Sequence, residues 1–96
     1  MRFEWDDEKN HRNFAKHGVT FERAQLVFSD PNAISLRDQC ESEERWLTTG
    51  LVNGLVVIVV AHTIREERHE EIIRIISARK ATQRERTAYE KPHEST

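Results

Sequence analysis

The chain has 96 residues, with 15 Lys and Arg against 17 Asp and Glu, a formal net charge of −2 and one cysteine. That length allows a single domain, and the lone Cys40 excludes an internal disulfide framework or a cysteine-built zinc knuckle. The longest apolar run, Leu55–Ala61, falls far short of the ~20 residues a membrane-crossing helix needs. The charged start Met1–Asp7 lacks the apolar stretch of a signal peptide, so the expectation is a small cytoplasmic protein.

Phe3-Glu4-Trp5 alternates apolar and polar and reads as a first strand. Asp6 or Asp7 can cap a helix running to about Lys16 and His17, where Gly18 supplies the left-handed residue that ends it. Phe14 and Ala15 are its only clear apolar residues, so this helix should be mostly solvated. Thr20 is the next N-cap, and Phe21, Ala24, Gln25 and Phe28 follow at helical spacing until Ser29-Asp30-Pro31-Asn32 stops the helix. Together the two helices form a helical hairpin.

Ala33–Arg37 reads as a short edge strand and Asp38–Glu43 as a polar loop. Asn53-Gly54, between Glu44–Val52 and Leu55–Thr63, is the preferred pair for a type I′ hairpin turn. Pairing Val52 with Leu55 sets Arg45 opposite His62 and makes the apolar Leu55–Ala61 a central strand. The charged stretch Arg65–Glu71 is a solvated turn or a strand extension. Ile72–Arg79 is a further strand, with Ile73, Ile75, Ser77 and Arg79 on one face and Ile72, Arg74, Ile76 and Ala78 on the other. Thr82 with Glu85 forms a capping box for a last helix, which Pro92 ends. The order is β-α-α-β-β-β-β-α, an α+β fold with an antiparallel sheet. It is read as one domain over residues 1–91 with a disordered tail at 92–96.

The charge is unevenly distributed. Ile72–Tyr89 holds Arg74, Arg79, Lys80, Arg84 and Arg86 against Glu85 alone. Such a patch attracts phosphate whatever the charge of the whole molecule, although a solvated helix face has the same composition. There is no Gly-rich phosphate loop and no nucleophile elbow, and the five histidines lack metal-ligand spacing, so neither a metal nor a cofactor is expected. His62 ends the most apolar strand, either as a rim histidine bonded to backbone or as a general acid/base. Arg can stabilise a charged phosphorane through its planar, permanently charged fork. Tyr89 is a base, an acid, a stacking surface or ordinary core.

Phe3-Glu4-Trp5-Asp6, Lys9, Asn13, Lys16-His17-Gly18-Val19, Phe21 and Ala24 resemble the opening signature of BrnT-type toxins. Glu44-Arg45, His62-Thr63, Arg74-Ile75-Ile76-Ser77-Ala78-Arg79-Lys80-Ala81-Thr82, Glu85-Arg86 and Tyr89-Glu90 complete the likeness over residues 3–90. The resemblance implies a RelE-like ribonuclease toxin of a type II toxin–antitoxin system that cuts RNA without a metal and stops translation. It further implies a BrnA-type antitoxin with a ribbon-helix-helix module, and promoter DNA bound only through that complex. The matched polar positions give Arg79, His62, Arg74, Arg45 and Tyr89 as catalytic candidates. Lys16, His17, Arg65, Lys80, Arg84 and Arg86 are the RNA-binding candidates. The competing readings are a non-catalytic nucleic-acid-binding module, an inactive toxin homologue, or an accessory subunit.

Overall fold

The computed structural model describes residues 1–38 and 44–91; residues 39–43 of the expected loop and the expected tail 92–96 lie outside the described residues. Strand β1 (Arg2–Glu4) leads into α1 (Asp7–His17). Asp6 caps α1 by accepting from the amides of Glu8 at 2.8 Å and Lys9 at 3.1 Å. Gly18, at φ 72°, closes it. Thr20 caps α2 (Phe21–Ala24), which tightens into a 3-10 segment, Gln25–Ser29, where a continuous α-helix was expected. The tighter winding seats Val27 against Gly50, where an added Cβ would lie 2.9 Å from Val27 Cγ1.

The chain then forms β2 (Ile34–Asp38), β3 (Arg45–Val52), β4 (Val56–Glu67), β5 (Glu70–Lys80) and α3 (Gln83–Glu90). The described strands make one five-stranded sheet in the order β1-β5-β4-β3-β2. β2 to β5 form the expected antiparallel meander with β4 at its centre, whereas β1 pairs parallel to β5, so the sheet is mixed. α1 and α2 carry the chain from β1 into β2, which runs antiparallel to β1, and the three reversals of the meander then bring β5 alongside β1 in the same direction. The capping box at Thr82 and Glu85 is present. Arg65–Glu71 is a strand extension closed by a turn at Arg68 and His69.

Two register features depart from the sequence reading. The Asn53-Gly54 turn forms, with φ of 55° and 67° and the Leu55 amide donating to the Val52 carbonyl at 3.0 Å. Leu55 is nevertheless an extra residue, 82% exposed, and Val52 pairs with Val56. The slip sets Trp46, not Arg45, opposite His62. A shift of one residue exchanges the faces of a strand. Here it collects Val52, Ile58 and Val60 with Val19, Phe21 and Val27 in one core beneath the helices. The second departure is a bulge in β5. Ile75 pairs with His62 and Ser77 with Ala61, leaving Ile76 unpaired. Past this point the alternation reverses, so Ile73, Ile75 and Ala78 share the helix-side core, while Arg74 and Arg79 share the opposite face.

The β4–β5 turn carries two non-glycine residues at positive φ, Arg68 at 51° and His69 at 68°. Side chains resist this conformation at a cost of ~1–2 kcal/mol per residue, and Asn-Gly adopts it with least strain. Replacing Arg68 and His69 by Asn and Gly is expected to stabilise the protein by about 1 kcal/mol. The check is the urea unfolding midpoint; an unchanged midpoint would show that the turn stores no strain.

Candidate functional site

The sheet has two unlike faces. The helix side holds the main core; the other, here called the open face, is partly covered by α3 over Val57, Val59, Leu47, Leu51, Ala81 and Tyr89. Register and alternation place Arg45, Arg65, Arg74 and Arg79 on the open face. Arg74 and Arg79 stand there together only because of the Ile76 bulge.

Each of these cations has partners. Arg79 forks onto Glu85, Nη1 to Oε1 at 2.7 Å and Nη2 to Oε2 at 2.9 Å. Glu85 also accepts from the Thr82 amide at 2.9 Å, so one carboxylate serves both the cap and the arginine. Led by the Arg79 hydrogen bonds, these contacts hold the Glu85 carboxyl down from 4.5 to about 2. At the other end of the face, Glu4 accepts from Arg65 at 2.7 and 3.1 Å and from Arg74 at 3.1 Å. Its pKa falls to about 2, chiefly through the Arg65 hydrogen bond. Arg65 additionally donates to Glu67 at 2.9 Å. Arg45 is half-buried at the start of β3.

Tyr89 donates its hydroxyl to Asp30 Oδ2, which also accepts the Leu51 amide at 2.7 Å. Burial first, and then the Asp30 carboxylate, push the phenol up to about 12. Tyr89 is therefore protonated at neutral pH and ties α3 to the end of the 3-10 segment.

His62 lies elsewhere. It is 1% exposed on the helix side, opposite Trp46, with its ring edge-on to Phe28 at 4.8 Å. Its Nε2 is 2.7 Å from Thr48 Oγ1, which is 2.7 Å from Ser35 Oγ. Burial lowers its pKa, opposed in part by the Thr63 backbone, so the imidazole is neutral. The expected Arg45–His62 pair does not form; the two residues occupy opposite faces because of the Leu55 insertion. Lys80 pairs with Ile58 and lines a groove with Gly18, Val19 and Arg23, also on the helix side. Arg84 and Arg86 are exposed on α3, while Lys16 and His17 lie at the end of α1 beyond the β5 edge.

One residue whose importance the sequence pattern did not reveal is Asn13, the buried residue of α1. Its Nδ2 donates to the carbonyls of Val19 and Ala78, each at 2.8 Å, and its Oδ1 accepts the Ala78 amide at 3.1 Å. β1 ends opposite Arg74, and the Asn13 carboxamide takes the place of a neighbouring strand further along β5. Asn10 acts similarly, accepting from the Phe21 amide at 2.8 Å and donating to Glu22 at 2.9 Å. Polar residues at helical spacing toward the interior were the available signal.

The chain matches the family model described as the ribonuclease toxin BrnT of type II toxin–antitoxin systems over residues 5–85, which places it among the ribonuclease toxins of such systems. Within that class it belongs to the BrnT family. It is similar to the crystal structure of the Brucella abortus ribonuclease toxin BrnT, with a TM-score of 0.60 and 28% identity. That match covers 86% of this chain and 99% of the other. No curated protein matches the chain. Among the described residues no helix is long and apolar enough to cross a membrane.

Proposed function

We propose that this protein is an endoribonuclease that needs no metal, works on its open sheet face and stops translation, and that a ribbon-helix-helix antitoxin restrains it. The observation that supports this most is the Ile76 bulge, which turns Arg74 and Arg79 onto the face that also bears Arg45. In RNA cleavage by the ribose 2′-hydroxyl, the attacked phosphate gains charge on its way to the phosphorane. Arg79 is the residue that receives this charge, with its fork geometry already displayed on Glu85. Arg74 and Arg45 hold neighbouring phosphates, and Arg65, Arg84 and Arg86 enlarge the cationic surface around them. Tyr89, whose hydroxyl proton is given to Asp30, serves as a stacking surface rather than a base. His62 acts from beneath as a positioning residue, through Thr48 in β3.

A second reading, a nucleic-acid-binding module without cleavage, draws support from the carboxylates already seated on Arg79 and Arg74. Incubation of the purified protein with single-stranded RNA in excess EDTA separates the two. Fragments ending in a 2′,3′-cyclic phosphate, lost on adding the cognate antitoxin, are expected. Bound but intact RNA would overturn the cleavage reading, and cleavage abolished by EDTA and restored by a divalent ion would overturn metal independence.

A further inference from the structure

Outside the open face, a cluster of cations lines a groove of about 280 Å³ between α1 and the β5 edge. Lys9, Arg12, Lys16 and His17 border it from α1, and Ile76 and Ser77 from β5, with Asn13 at its base. The spacing i, i+3, i+7 puts Lys9, Arg12 and Lys16 on one side of the helix. Among the described residues neither Lys9 nor Lys16 has an ion-pair partner, and Arg12 has only an exposed one, Glu8 at 3.8 Å. The nearby Asp6 is turned into the helix cap, on the amides of Glu8 and Lys9. The cationic side of α1 thus lacks the close carboxylate contacts, at 2.7 and 3.1 Å, that hold Arg79 and Arg74.

Its position supplies the second half of the inference. The bulge that turns Arg79 onto the open face lies where the groove does: β1 stops pairing at Arg74, and Ile76 and Ser77 beyond it, both half-buried, line the groove at the β5 edge. Ser77 is two residues from Arg79 along the strand, ~7 Å at ordinary strand rise. A chain of phosphates crossing Arg79 therefore reaches the groove without a gap.

We infer that this groove is a second phosphate-binding site, which holds the backbone of single-stranded RNA flanking the cleavage point. The inference rests on the ribonuclease reading and deepens it. Lys9, Arg12 and Lys16 contact the flank, the His17 ring closes the far end, and the Ser77 hydroxyl marks the crossing from the open face. The site contains no base-reading pocket, so it adds affinity and a minimum substrate length without sequence preference.

The test is a triple variant, Lys9→Gln/Arg12→Gln/Lys16→Gln, which keeps helix propensity and leaves Asn13 and Arg79 intact. Cleavage is followed on a 20-nucleotide RNA and on a trinucleotide too short to reach α1. For the long RNA, three lost contacts should raise KM about a hundredfold near 0.1 M salt and make the log–log salt slope less negative by about 2. Cleavage of the trinucleotide should not change. Parent-like KM and salt slope on the long RNA would overturn the inference, as would an equal loss on both substrates. So would a variant that binds RNA normally and fails only to bind the antitoxin. If the parent cuts neither RNA, the ribonuclease reading fails, and anisotropy with a 2′-O-methyl 20-mer then decides the groove alone. Weaker, less salt-dependent binding by the variant upholds it, and equal binding rejects it.

Discussion

Arg79→Ala is expected to lower kcat for RNA cleavage by about 10²–10³, the usual effect of removing one preorganised donor from a developing oxyanion, while the protein stays folded and bound by its antitoxin. The companion variant Glu85→Gln should behave in the opposite way. It removes the carboxylate that competes with phosphate for Arg79, yet its amide oxygen can still accept the Thr82 amide in the capping box. Cleavage should therefore persist or rise, with a stability loss below about 1 kcal/mol, since the Arg79–Glu85 pair is partly exposed. This asymmetry separates the two roles available to Arg79. If Arg79 only anchors α3 through Glu85, both substitutions break the same contact and should cause the same small loss of stability, with cleavage unaltered. If it receives the phosphate, only the arginine substitution stops the reaction. Arg79→Lys refines the result, because lysine keeps the charge and loses the two-pronged geometry; an intermediate rate identifies the fork as the working element. The pair also has an acid signature. The Glu85 carboxyl is lowered to about 2 from 4.5, so its contribution to stability is complete above about 4.5 and fades as pH falls toward 2. Glu85→Gln should remove that part of the acid transition. Parent-rate cleavage by a folded Arg79→Ala protein would end the assignment.

Much of the fold was legible because local signals agreed with one another. Asp6, Gly18, Thr20 and the Thr82–Glu85 box mark helix ends by hydrogen bonds that depend on neighbours in sequence. Asn53-Gly54 marks a hairpin for the same kind of reason, and the doubly apolar Leu55–Ala61 marks a central strand. What sequence alone did not reveal are the features settled by distant partners. Leu55 is apolar and β-prone, yet it is excluded from the pairing because Gly50 must lie under Val27 and Thr48 must meet His62 on the helix side. Ile76 has the ordinary appearance of a strand residue, and only the register against β4 shows that it is the bulge. These two insertions decide the site: the first separates His62 from Arg45, and the second unites Arg79 with Arg74. The parallel sense of β1 was likewise invisible, since a three-residue strand carries no sign of its direction. The list of arginines was readable from the sequence, whereas their division between two faces depended on single-residue insertions with no compositional mark.

Asn13→Ala is expected to destabilise the protein by about 3 kcal/mol, more than any surface change considered above. The substitution removes no apolar burial, so the cost arises from hydrogen bonding. The Ala78 amide and the carbonyls of Ala78 and Val19 each lose a partner at a site where Asn13 is 7% exposed. A buried backbone group without a partner costs ~1–3 kcal/mol, and water entering the vacated space offsets part of the sum. Asn13→Asp should be at least as damaging, although it is nearly isosteric. Its carboxylate still accepts from the Ala78 amide, but it faces two carbonyl oxygens with no proton to donate, and burying a charge there is costly even with Lys9, Arg12 and Lys16 bordering the groove above it. Asn13→Leu tests the alternative that this position needs only bulk. It would be well tolerated if α1 were held by apolar packing, but Phe14 beside it is 55% exposed and contributes little to the core. The readouts are the urea midpoint and hydrogen exchange at Ala78, whose amide should lose protection before its neighbours in β4. A leucine variant as stable as the parent, with Ala78 still protected, would show that the carboxamide is dispensable. The expected loss instead makes Asn13 the residue that fastens α1 to the strand edge leading into Arg79, so a partly folded Asn13→Ala protein should also cut RNA poorly.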